Sequence, residues 1–202
     1  DNVFALVGRG AAFMESGLNE AAESDLGKAL QHEPNNRHAL WRRAMIYSAL
    51  GRLDEAEADA RKAVEVAPTY GHSYLAMASV AFSRENYADS ITFLDDAIKF
   101  QSGEPNLLAV LLRGSARRRL GDLASALVDL NRALEILPTS TKAIAERMYV
   151  LALLNDTDAA FGEMDRLANT GGAAVISILQ THWSIRGHYD ARIDGKIGPA
   201  SR

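Results

Sequence analysis

The chain has 202 residues, 48% of them hydrophobic and 24% charged, enough to bury a core and too apolar for intrinsic disorder. With 22 Lys+Arg against 26 Asp+Glu the net charge is −4, so no overall basic field draws the protein to nucleic acid. It has no cysteine, which excludes disulfides and thiolate metal sites, and no apolar run approaches a membrane span's length.

Reading begins at Asp1 rather than a methionine, and a fragment with any signal peptide lying upstream is the expectation. Val3 to Ser16 reads as a helix, Gly17 permits a left-handed cap, and Asn19 to His32 forms a return helix that Pro34 stops. Pro34, Pro68, Pro105 and Pro138 are spaced by 34, 37 and 33 residues, so the same hairpin is expected to recur. Aligning on the prolines puts Gly17, Gly51 and Gly121 in one turn column, with Glu85 substituting in the third unit. Ala22, Ala56 and Ala126 share a second column with Ser90, and Ala29, Ala63, Ala97 and Ala133 a third. Two antiparallel helices approach closely only where side chains are small, which is what such columns provide. The units run at about 3–36, 37–70, 71–106 and 107–140, followed by a partial fifth at 141–170. The longer third unit carries its excess in Gln101-Ser102-Gly103-Glu104, a polar stretch expected to be an extended loop.

These residues resemble the tetratricopeptide repeat family. Leu50-Gly51-Arg52-Leu53-Asp54-Glu55-Ala56 with Ala63-Val64-Glu65-Val66-Ala67-Pro68 matches its motif, as does Leu120-Gly121-Asp122-Leu123-Ala124-Ser125-Ala126 with Ala133-Leu134-Glu135-Ile136-Leu137-Pro138. The fifth unit departs, with Asn155-Asp156 at the turn and no closing proline. The resemblance implies an all-α solenoid of helical hairpins, a right-handed superhelix of about ten or eleven helices with essentially no strand before residue 171. It also implies that the first helices line a concave surface. The phases that reach it hold Val7, Met14, Trp41, Met45, Leu75, Phe82, Leu111, Arg118, Arg119 and Tyr149, the expected partner-binding groove. Within the Arg117-Arg118-Arg119 run, Arg118 and Arg119 are expected to face that groove and to favour acidic partners. The family's carboxylate-clamp subclass, which binds acidic C-terminal tails of heat-shock chaperones through Lys and Asn, is disfavoured because the corresponding phases are apolar or small.

Arg9 and Asp25, Arg43 and Asp59, Arg113 and Asp129, and Arg147 and Glu163 are each 16 residues apart in the same two columns, where the third unit has Met77 and Phe93. Joint exchange of both members for apolar residues predicts that the two side chains touch across the hairpin. The expected interaction is a repeated ion pair, worth under ~1 kcal/mol where exposed.

After Asn169-Thr170-Gly171-Gly172, a plausible linker, Leu179-Gln180, Gly187, Tyr189, Ile193-Asp194-Gly195 and Gly198-Pro199 resemble the peptidoglycan-binding-like domain of bacterial cell-wall enzymes. The family's last helix would begin where the chain ends, so residues 171–202 are expected to be a truncated segment with weak cell-wall association at most. Its apolar side chains, Leu179, Ile193 and Ile197, then need a cover: the last hairpin, with Trp183 and Tyr189 as anchors, or a second copy of the chain.

No nucleophile with its base and no carboxylate pair stands out, and the five histidines lack metal-ligand spacing, so no catalytic residue, cofactor or metal is expected and the histidines read as neutral surface groups. The expected function is a non-enzymatic scaffold that binds a partner peptide or helix, in the periplasm or cell envelope, with the cytoplasm as the alternative. The competing reading is the targeting or regulatory region of a larger cell-wall hydrolase or protease.

Overall fold

The computed structural model describes residues 2–101 and 106–170. Ten helices succeed one another, and no strand occurs among the described residues. They are α1 (Val3–Glu15), α2 (Asn19–His32), α3 (Arg37–Ala49), α4 (Leu53–Val66), α5 (Gly71–Ser83), α6 (Tyr87–Lys99), α7 (Leu107–Arg119), α8 (Leu123–Ile136), α9 (Thr141–Leu153) and α10 (Thr157–Asn169). The chain divides into two compact units, the first ending at Ala116 and the second beginning at Arg117. The expected loop falls largely on residues 102–105, and the wall-binding-like segment on 171–202, both outside the described residues.

Local chemistry accounts for the helix ends. The Asn36 side chain accepts from the Ala39 N–H at 3.1 Å, and Ser140 does the same for Ala143 at 3.3 Å, satisfying donors that the first turn leaves free. At the other end the chain reverses through a left-handed residue, Gly17, Gly51 and Gly121 having φ of 74°, 75° and 83°. Glu85 and Asn155 take the same conformation at φ 61°, so the turn survives loss of its glycine in the third and fifth hairpins. Each turn is closed alike: the Leu18 N–H donates to the Phe13 carbonyl, Arg52 to Tyr47, Asn86 to Ala81 and Asp156 to Leu151.

The alanine columns lie where the helices meet. Ala22, Ala29, Ala56 and Ala63 in the first unit, and Ala126 and Ala133 in the second, have no exposed surface. Around them pack the larger residues: Leu6, Leu26, Leu40, Trp41 and Ile46 form one cluster with Met77, and Leu75 and Leu94 form another. In the second unit Leu130, Ile144, Met148, Met164 and Leu167 are buried. Ser90 occupies the alanine column without penalty because its hydroxyl donates to the Ala78 carbonyl at 2.9 Å. Gly71 answers a demand that the repeat pattern did not reveal. A Cβ there would lie 2.4 Å from the Ala97 carbonyl oxygen, so only glycine lets α5 start so close to the end of α6.

The 16-residue pairs form within their hairpins. Arg9 grips Asp25 at 2.5 and 2.8 Å and Arg43 grips Asp59 at 2.6 and 2.8 Å, both two-pronged, and Arg147 pairs with Glu163. In the third hairpin Met77 joins the core and Phe93 packs against the same cluster, so an apolar pair replaces the ionic one. Arg113 and Asp129 fall in different units, and each has a partner in its own: Arg113 meets Asp95 at 2.6 Å, and Asp129 receives Arg117 at 2.8 Å. Asp25, Asp59, Asp129 and Glu163 are buried, so removing one partner leaves a covered charge uncompensated. Asp59→Ala strands a mostly covered Arg43 and is expected to cost about 2–4 kcal/mol by urea denaturation, whereas Arg43→Met/Asp59→Leu is expected to return to within about 1 kcal/mol of the parent. A single substitution that costs nothing would make the pair a surface contact.

Candidate functional site

The expected groove residues divide by burial. Val7 and Met14 on α1 and Met45 on α3 are half-buried, each resting on the core with one side open. Phe82 on α5 is half-buried, edge-on to Tyr87 at 5.2 Å. Leu75 and Leu111, at 2% and 4% exposure, belong to the interior, and Trp41 at 7% is nearly closed off. These three are not open contact residues. Their helical phase turns them into the packing of their own unit instead of toward solvent.

The basic run behaves differently from expectation. In the second unit Arg118 is half-buried, bonded to Glu146 at 2.8 Å and set over the Tyr149 ring at 5.7 Å, and Arg117 is taken by Asp129. Arg119 alone of the run is exposed and, among the described residues, without an ion pair. The charge that a partner meets there is therefore much reduced. The wall-binding-like residues Tyr189, Ile193, Asp194, Gly195, Gly198 and Pro199 lie outside the described residues.

A cluster that sequence reasoning did not assemble lies in the first unit. Tyr70, at the start of α5, stacks on His72 at 5.0 Å between ring centres, and His72 packs on Trp41 at 4.8 Å. Arg42 covers the Trp41 ring at 4.3 Å and Arg37 covers Tyr70 at 4.8 Å, both cation–π distances. His38 closes the group, edge-on to Tyr70 at 5.4 Å, with the Tyr70 hydroxyl 3.3 Å from its Nδ1. Far from being surface groups, both histidines are half-buried in this stack. One signal was available: His38 and His72 are one repeat apart and hold the same phase on successive first helices.

Beside the stack, α1 and α3 leave a cleft of about 400 Å³. One wall is apolar, made of Val3, Phe4, Val7, Gly8 and Ala11. The other presents His38 and Arg42. Phe4 stands 86% exposed at its mouth, a large ring held in water by a helix with no core use for it.

Residues 13–58 and 75–141 match two sequence profiles of the tetratricopeptide repeat, together over half of the chain. The chain belongs to the tetratricopeptide repeat family. Human tetratricopeptide repeat protein 13 is 29% identical over 140 residues, covering 67% of this chain and 16% of its own length. Human DnaJ homolog subfamily C member 3 is 25% identical over 179 residues, 81% of this chain and 35% of its own. The chain thus spans no more than about a third of either relative. Among solved structures, PilW, a widely conserved type IV pilus biogenesis factor, superposes with a TM-score of 0.79 at 20% identity over 92% of this chain and 86% of its own. TTC0263, a thermophilic TPR protein of Thermus thermophilus, gives 0.73 at 18% over 83% and 91%. Both likenesses are of fold.

Within this tetratricopeptide array the stack sets the state of its histidines. Burial holds His38 below the ordinary imidazole range, with Arg37, Arg42 and His72 adding to it, and burial with Arg42 does the same to His72. Burial also lowers Arg42, against the opposing fields of Tyr70 and Glu15. The linkage has a definite sign. The unfolded chain's histidines take up protons near pH 6.5, before the folded ones do, so this contribution to stability is intact above that pH and is lost as pH falls through the lower folded values. Unfolding free energy measured from pH 7.5 to 5 is expected to decline, with a shallower slope in His38→Gln/His72→Gln. Equal slopes for the two proteins would place both rings in water.

Proposed function

We propose that the chain is a non-enzymatic interaction scaffold that holds a peptide or helix of another protein against the face of its first helices. Repeats of this family generally mediate protein–protein contacts. The observation that carries the reading is the open cleft between α1 and α3, where an exposed Phe4 and half-buried Val7 line a space of peptide side-chain size. Half-buried Met45 and Phe82 continue this offer of apolar surface on α3 and α5. A setting in the periplasm or cell envelope rests on the sequence of the segment after residue 170 and is proposed on that ground alone.

Two glycines provide a matched test. At Gly8, in the cleft wall, and at Gly162, on α10, an added Cβ meets nothing within 4 Å, so both positions admit a side chain at its root. A peptide obtained by selection from a random library is expected to bind Gly8→Trp at least about tenfold more weakly than the parent, because the indole fills the cleft. Gly162→Trp is expected to bind as the parent does, and neither variant to melt earlier. Undiminished binding by Gly8→Trp would move the binding face elsewhere.

A further inference from the structure

Among the described residues, the first unit keeps two arginines without a carboxylate. Elsewhere arginine is matched with care: Arg9, Arg43, Arg52, Arg61, Arg84 and Arg113 in the first unit each reach an Asp or Glu within ion-pair distance. Arg37 and Arg42 reach none among the described residues. Arg42 spends one guanidinium nitrogen on the His38 carbonyl at 3.2 Å, and Arg37 sets its Nε 3.3 Å from His38 Nε2. The acids of the neighbourhood are engaged or remote: Glu33, at the cleft, accepts from Asn36 at 2.8 Å, and Glu15 acts on Arg42 through its field only. A second group is also unmatched. Trp41 Nε1 is buried and has no acceptor among the described residues.

An exposed Arg37 and a half-covered Arg42 on aromatic faces, with an apolar cleft alongside, are complementary to one kind of occupant. Resting on the groove reading above, we infer that this corner selects acidic peptides: an Asp or Glu side-chain carboxylate meets Arg42 and Arg37, and a neighbouring apolar side chain enters the cleft beside Phe4 and Val7. The carboxylate supplies the anion that the two arginines lack. Arginine bonds to carboxylate are charge-assisted and geometrically exacting, so a neutral amide of the same shape is a poor substitute. The selectivity thus comes from Arg37 and Arg42, on the first turns of α3, and not from the Arg117–Arg119 run, where two of three charges are already neutralised.

The test uses the full chain carrying Trp183→Phe, so that Trp41 gives the one indole N–H resonance in a nitrogen-15 proton spectrum. The probes are three pools of nonapeptides, blocked at both ends, randomised except for a central Glu, Gln or Lys. The Glu pool is expected to move the Trp41 indole resonance and to bind about tenfold tighter than the Gln pool, with the Lys pool weakest. In Arg42→Ala, which breaks no ion pair, the Glu and Gln pools are expected to bind alike. Equal binding of the three pools by the parent overturns the acidic selectivity while leaving the peptide groove standing. Binding of none removes both. Glu preference retained in Arg42→Ala and in Arg37→Ala also overturns the assignment.

Discussion

Everything in this molecule follows from how closely the two helices of a hairpin approach. The columns of Ala22 and Ala29, Ala56 and Ala63, and Ala126 and Ala133 are fully buried, and a longer side chain at any of them would push the helices apart. Close approach consumes one stripe of each first helix and leaves the opposite stripe without an intramolecular use. Phe4 remains in water for that reason, while Val7 and Met45, at the stripe's edge, rest on the core with one side open. The same closeness makes Gly71 obligatory and requires the Ser90 hydroxyl to find the Ala78 carbonyl.

Charge follows a second rule laid over the first. In the first, second and fifth hairpins an arginine on the first helix meets an acid 16 residues later across the interface, as in Arg9 with Asp25 and Arg43 with Asp59. Such pairs add register more than energy, since an apolar pair, Met77 with Phe93, serves the third hairpin equally well. Against that neutralised background the unpaired Arg37 and Arg42 are exceptional. They are held on aromatic faces beside the cleft between α1 and α3, which joins charge and apolar surface in a single place.

The period, the turns and the hairpin pairs were legible in the sequence because each is a relation inside one repeat, at fixed spacing. Gly17, Gly51 and Gly121 marked the turn, and even the substitutes Glu85 and Asn155 kept its left-handed backbone. Relations between successive repeats were not legible in the same way. Arg118 finds Glu146, 28 residues on, and Arg113 finds Asp95, 18 residues back, so no single spacing announces them. Trp41, Leu75 and Leu111 were read as groove residues because a groove phase and an inter-helix phase differ by a fraction of a turn. The recurrence of His38 and His72 was visible, but its meaning needed Tyr70 between them and Trp41 beside them.

The central claim is that the repeat face is a peptide site with a preference for acid flanked by apolar residues. Selection of random peptides on the intact chain, with the winning sequences read by composition, tests it without assuming a partner. The account predicts enrichment of Asp and Glu next to Leu, Ile, Phe or Met, lost when the same selection is run in high salt. Winners that are neutral or basic, or an enrichment indifferent to salt, would contradict it.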